Sequence, residues 1–237
     1  MKNVFTFLLL LFSLLCNGQS PKLFTTDKEL SSSLINQIYQ DRNGFIWIAT
    51  EDGLNRYDGA KFTIYKHEPN NEHSLAHNFV RTVFEDSKGH LLIGTYIGIQ
   101  MYDPATDNFT PLAKLEDTGE TLESNINSFI ERKNGEIWVS GNVLCKLDIK
   151  DHLLTVRKVD IAVTSTGSLF EDKKQNVWMA KGEEGVYQLT PDNQLTLHLS
   201  KDNGYVKSIC EDQRGNIYVG SIRKGLFIYD KERKTFV

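Results

Sequence analysis

The sequence is poor in the residues that staple or stiffen a small exported fold. It holds 3 cysteines and 5 prolines in 237 residues. Cys16 falls in an N-terminal apolar run, so Cys145 and Cys210 remain, too few for a disulfide scaffold. Both sit in apolar runs, where buried free thiols are common; a Cys145–Cys210 bridge is the lesser alternative. So few prolines exclude a proline-rich linker. No charge dominates either: 27 Lys plus Arg stand against 31 Asp plus Glu, a net charge of −4. That balance provides no global electrostatic footprint for nucleic acid or anionic lipid. Beyond the N-terminal run, sustained 3.6-residue periodicity is missing, which argues against a helical fold. A chain that is 40% hydrophobic and 24% charged is globular and can bury a sizeable core.

The N-terminus has its own logic. Lys2 precedes an apolar stretch over residues 4–15, too short for a good membrane span. A positive start, a short apolar run and small residues after it read as a secretory signal over residues 1–18, cleaved after Gly18. A lipidated Cys16 is the rival reading, disfavoured by the bulk of Leu15. No later segment is apolar enough to cross a bilayer. Residues 19–237 are therefore expected to form an exported, periplasmic domain.

Five segments repeat, near residues 35–66, 80–112, 126–156, 167–199 and 206–237. The first begins INQIYQDRNGFIWIATEDGLNRYDG, and the fifth contains VKSICEDQRGNIYVGSIRKGLFIYD. An anchor position holds Asp41, Asp86, Arg132, Asp172 and Asp212. Three residues on stands Gly44, Gly89, Gly135, Gln175 or Gly215. Asp-x-x-Gly marks a tight turn, the Asp bonding nearby amides and the Gly free to take positive φ. Around it lie four short β-rich runs per unit. Outer runs are expected at residues 62–65, 109–112, 153–156, 195–199 and 234–237. Four strands per period of about 40–45 residues describe one propeller blade. The predicted fold is all-β, a β-propeller of four-stranded blades.

The pattern D-x-x-G-x-[IL]-W-[IV]-[GA]-T-x-x-G-L-x-x-[YF]-D resembles the regulator-propeller repeat of bacterial two-component sensors. The opening FTTDKELSSSLINQIYQDRNGFIWIATEDGLNRYDG is similar to the start of the exported region of Bacteroidetes hybrid two-component sensor histidine kinases. The likeness is weaker in unit three, with Arg132 for Asp, and in unit four, with Gln175 for Gly. It implies a ligand-sensing propeller responding to a glycan fragment, a homodimer in the full-length sensor, and an inner-membrane anchor and kinase in later parts. It implies no cofactor and no nucleic acid bound by this part. It also implies seven blades. Seven at about 43 residues each require roughly 300, so residues 19–237 are expected to form an incomplete ring of about five. Residues 23–25 read as the outer strand of a final blade. A five-blade ring sealed by that strand is the competing arrangement.

The recurrent Trp47, Trp138 and Trp178, with Leu92 and Tyr218 in register, are assigned to packing between blades rather than to sugar stacking. His67, His73 and His77 share one loop, and a metal there is the lesser reading. No nucleophile–base pairing is recognised, so this chain is not expected to be an enzyme. A propeller lyase or glycosidase and a periplasmic protein-interaction scaffold remain the alternatives. Ligand contacts are expected where loops on a rigid frame vary. One column near the start of each first strand holds Asn36, Arg81, Asn127, Gly167 and Lys207. The loops between second and third strands add Tyr96 and Arg223, with Glu51, Asp52, Asn142, Glu183, Glu184 and Lys224 nearby.

Overall fold

A computed structural model describes residues 22–161, 163, 167–199 and 204–237. The leader assigned to residues 1–18 lies outside the described residues. Each repeat folds into one antiparallel sheet. The first blade runs β1 (Ile35–Gln40), β2 (Ile46–Thr50), β3 (Gly53–Tyr57) and β4 (Phe62–Tyr65), and the second runs β5 (Val80–Glu85), β6 (Leu91–Thr95), β7 (Ile99–Asp103) and β8 (Asn108–Phe109). A short strand, β9 (Lys114–Leu115), precedes the third blade, β10 (Ile126–Glu131), β11 (Ile137–Gly141), β12 (Cys145–Lys150) and β13 (Leu153–Lys158). The fourth is β14 (Leu169–Glu171), β15 (Val177–Ala180), β16 (Val186–Leu189) and β17 (Leu195–Leu199), and the fifth is β18 (Tyr205–Glu211), β19 (Ile217–Ile222), β20 (Gly225–Asp230) and β21 (Thr235–Phe236). Among the described residues there is no helix, hence none long and apolar enough to cross a membrane.

The anchor carboxylate folds each first hairpin and then reaches further than a turn residue must. Asp41 Oδ1 accepts from the amides of Asn43 and Phe45, both at 3.0 Å, while Oδ2 accepts from the Trp47 indole at 2.7 Å. Asp172 repeats this with Lys174, Asn176 and the Trp178 indole. Asp212 does so with Arg214, Asn216 and the Tyr218 hydroxyl. In blade two, where Leu92 has no polar atom, the His90 ring takes the place at 2.7 Å from Asp86. Burying a Trp stabilises by about 5 kcal/mol of apolar transfer. An unpaired indole N–H would cancel about 1–3 kcal/mol of it. Trp47 and Trp178 are buried with that cost removed. Trp47 lies 4.8 Å from the ring of Tyr102 in blade two, and Trp178 lies 5.1 Å from Tyr229 in blade five. The tryptophans are packing residues between blades.

Unit three compensates for Arg132. Glu136 Oε2 accepts from the Trp138 indole at 3.1 Å, and the Arg132 guanidinium lies 4.7 Å over the Trp138 ring. The hydrogen bond from Lys146, with those from Trp138 and Asn134, outweighs desolvation and holds the Glu136 carboxyl down to about 2. Unit four compensates less. Gln175 takes φ +65° where Gly44, Gly89, Gly135 and Gly215 take +80° to +95°.

A second carboxylate ties each hairpin to the previous blade. The residue before the anchor is glutamate in units two to five. Its Oε2 accepts from the amide just after the anchor of the preceding unit: Arg42 to Glu85 at 2.8 Å, Ser87 to Glu131 at 2.7 Å, Lys133 to Glu171 at 2.7 Å and Lys173 to Glu211 at 3.1 Å. Side chains reinforce the ladder. Arg132 pairs with Glu171 at 2.9 Å, and Lys173 Nζ donates to the Asp212 and Gln213 carbonyls. At the outer edge of blades one and two, Asp107 accepts from Arg56 at 2.9 Å and from Tyr65 and Tyr102 at 2.6 Å. Apolar side chains fill the spaces between sheets, as where Trp47, Ala49 and Leu54 meet Val83, Leu91 and Ile93.

The five blades form an incomplete ring: among the described residues apolar clusters join blade one to two, two to three, three to four and four to five, and none joins the fifth to the first. Two strand expectations need correction. Residues 23–25 are not a strand. Phe24 instead lies against Tyr57 and Phe62 at 5.2 and 5.0 Å, on the open face of blade one, and the Ser31 amide donates to the buried Asn55. Aromatic contact with its own neighbour holds this segment, not sheet pairing. The outer strand of blade two is Asn108–Phe109, shorter than residues 109–112. The Gln100 side chain, bonded to the carbonyls of Ser74 and Thr110, takes over part of the ladder there. Among the described residues Cys145 and Cys210 are free thiols, and burial pushes the Cys145 thiol up to about 11.

Gln175→Gly relieves a left-handed side-chain conformation and is expected to stabilise the protein by about 1 kcal/mol, read as a higher midpoint in urea unfolding. Glu136 gives a pH prediction. Its carboxyl titrates lower folded than unfolded, so its contribution is complete above about pH 4.5 and is lost as pH falls towards 2. Melting temperature measured across that window should fall less steeply for Glu136→Gln than for the parent.

Candidate functional site

The first strands β1, β5 and β10 lie side by side at the inner edge of the arc. Each carries a β-bulge near its start, as does β18. Ile35 pairs with Thr50 and Gln37 with Ala49, leaving Asn36 without a cross-strand partner. The same register shift inserts Arg81 between Val80 and Thr82, Asn127 between Ile126 and Ser128, and Lys207 between Val206 and Ser208. A bulge bends the strand and re-aims the extra residue, and bulges are over-represented beside functional sites. Asn36, Arg81, Asn127 and Lys207 are thus the inserted residues of four equivalent bulges. β14 begins later, and Gly167 occupies the column without a side chain.

These residues line one open cavity of about 640 Å³, joined by Tyr205 and by the Lys181–Glu184 turn. Asn36 is partly committed to the frame, its Nδ2 donating to the Val80 carbonyl at 2.8 Å. Arg81 Nη1 donates to Asn127 Oδ1 at 3.0 Å, and its guanidinium lies 5.3 Å from the Phe79 ring. Arg81 Nε is buried with no acceptor. Lys181 is paired with Glu184 at 2.7 Å. Tyr205 is 49% exposed, and its ring lies against Gly182, where a Cβ would stand 3.0 Å from Cε2. That close approach explains the glycine, whose φ is +50°.

The other two candidates lie outside this lining. Tyr96, in the turn between β6 and β7, stands 5.6 Å from His77 and 6.0 Å from Phe79, so it borders Arg81 only through Phe79. Arg223 is exposed in the turn between β19 and β20 with φ +80°. Position in the turn, not the residue type, keeps it away. Tyr205 escaped the sequence reading because it precedes the aligned apolar start of unit five; its signal is an aromatic two residues before a bulge. The histidines of the 67–77 loop serve the backbone. His67 and His73 meet the carbonyls of Leu75 and Phe109, and His77 accepts from the Phe79 amide. Among the described residues no group of three side chains is placed to hold a metal.

Comparison with known proteins matches residues 29–52, 74–96 and 200–223 to the two-component regulator propeller model. A stretch of 83 residues is 37% identical to histidine kinase P4 of Formosa agariphila, covering 32% of this chain and 6% of that one. The chain therefore spans only a small fraction of its curated relative. The extracellular domain of a protein described as a hybrid two-component system of B. thetaiotaomicron superposes with a TM-score of 0.74 at 19% identity, covering 93% of this chain and 33% of that one. Virginiamycin B lyase from Staphylococcus aureus superposes at 0.67 with 13% identity, covering 92% of this chain and 72% of that one. At such identities these structures share the fold alone. Segments of blades one, two and five match the two-component regulator propeller repeat, and the chain as a whole is an all-β, incomplete propeller.

Proposed function

We propose that this chain is an extracytoplasmic ligand-sensing propeller of a hybrid two-component signalling protein, that its ligand is a glycan fragment, and that the inner-strand cavity is where ligand binds. The observation that carries the site is the fourfold recurrence of a bulge whose inserted residue differs each time: Asn36, Arg81, Asn127 and Lys207. The frame repeats while the side chains it presents do not, as expected of a binding surface on a rigid scaffold. The matched repeats and the histidine kinase relative support the signalling role. The extracellular origin of the superposed domain supports a periplasmic location. On this reading membrane and kinase parts, and the dimer, belong to a longer parent protein. The chain itself acts by binding, without a reaction or cofactor.

A scaffold role is the second reading, favoured by apolar side chains on the two outermost sheets: Ile38 is 63% and Leu226 62% exposed. The lyase reading rests on fold alone.

The discriminating variant is Arg81→Ala/Lys207→Ala in the parent protein in its own bacterium. It should lose at least tenfold sensitivity to the inducing polysaccharide digest, read by a transcriptional reporter. The same substitutions in this chain should move unfolding free energy by less than about 1 kcal/mol, since neither side chain fills the core. An unchanged dose response with normal protein level contradicts the proposed site.

A further inference from the structure

Three arginines among the described residues are partly buried: Arg56, Arg81 and Arg132. Arg56 is paired with Asp107 at 2.9 Å and Arg132 with Glu171 at 2.9 Å. Arg81 has no carboxylate. Its neighbours are a neutral amide oxygen of Asn127 and the face of Phe79, and its Nε has no acceptor. A guanidinium drawn partly out of water without a counter-charge is costly unless an anion joins it. The cavity around it supplies a single carboxylate that is not already paired, Glu183. Lys181 and Glu184 neutralise one another, leaving Arg81 and Lys207 against Glu183 alone. Two cations without an ion-pair partner thus face one space from the bulges of blades two and five, with donors that fit a carboxylate. Tyr205 offers a half-exposed ring at the same cavity, a surface on which the apolar face of a sugar can stack. Asn36 and Asn127 add amides suited to hydroxyl groups.

We propose that the cavity selects a carboxylate-bearing sugar chain, an oligouronate, with its acid group on Arg81 and Lys207 and a ring against Tyr205. This rests on the sensing reading and specifies the chemistry of its site. A second source of the same acid group is a small dicarboxylate, which would use the cations and leave Tyr205 idle.

The test is calorimetry on the full chain with three probes: uronate trisaccharides of the galacturonate, glucuronate and mannuronate types, their neutral methyl esters, and succinate. Amide shifts of Gly167 and Lys207 report whether the cavity is the place bound. At least one uronate should bind there, with its ester and succinate each at least tenfold weaker. Arg81→Gln should abolish the preference of acid over ester, and Tyr205→Ala should weaken the uronate while leaving succinate unchanged. Equal melting temperatures show that both variants fold; if Arg81→Gln does not fold, Lys207→Gln carries the same comparison. Esters binding at the cavity as well as acids would overturn the carboxylate inference and leave the sensing site standing. Succinate binding as tightly as the uronates overturns the sugar assignment. Failure of every probe to move the two amides overturns the inference, while loss of induction in the doubly substituted parent would still uphold the site.

Discussion

The structure depends on the carboxylates at the first hairpins of the repeats, an anchor aspartate in units one, two, four and five and a glutamate just before the anchor in units two to five. The aspartate closes the turn and holds an aromatic or imidazole side chain of its own blade. The glutamate before it accepts an amide from the blade behind. Hydrogen bonds to a charged acceptor contribute about 1.5–3 kcal/mol each, comparable with the apolar gain from one large side chain. Direction matters as much as energy. A layer of Leu, Ile and Val between sheets slides easily, whereas a backbone amide fixed on a carboxylate sets one blade's height relative to the next. The four links from Arg42, Ser87, Lys133 and Lys173 give the arc a defined pitch.

A fixed pitch is what allows the inner edge to serve as the proposed site. The bulges in β1, β5, β10 and β18 occur at equivalent positions, so their inserted side chains come round to a shared cavity. Frame and site use separate residues almost throughout. Asn36 belongs to both, because its amide also bonds the neighbouring strand. Arg81 also reaches the next blade, but through the Asn127 side chain of the cavity itself rather than its backbone, so at Arg81 and Lys207 the chemistry of the cavity can change with little effect on the sheets.

Most of the fold was legible in the sequence because it repeats. Period, turn and apolar runs recur together, and the column of Asn36, Arg81, Asn127 and Lys207 aligns from the repeats themselves. Three things were not legible. The indole bond of the anchor aspartates leaves no mark beyond the turn motif itself, and the role of Glu136 as a substitute appears only when the Trp138 ring is placed. The glutamate ladder is written in the sequence one position before the anchors of units two to five, at Glu85, Glu131, Glu171 and Glu211. Yet a glutamate in a charged turn looks like any solvated residue until the neighbouring blade supplies the amide. Residues 23–25 carry β-forming side chains, and only the position of Phe24 against Tyr57 and Phe62 shows them spent on ring contact.

Amide hydrogen exchange across the five first hairpins tests the account most directly. Arg42, Ser87, Lys133 and Lys173 occupy exposed turns, where amides ordinarily exchange within seconds. Their amides should be protected, because each is held by a glutamate of the following blade. The equivalent amide of Gln213 has no such acceptor among the described residues and should exchange fast. Rapid exchange at all five positions would contradict the ladder, and with it the claim that paired carboxylates fix the arc on which the cavity is built.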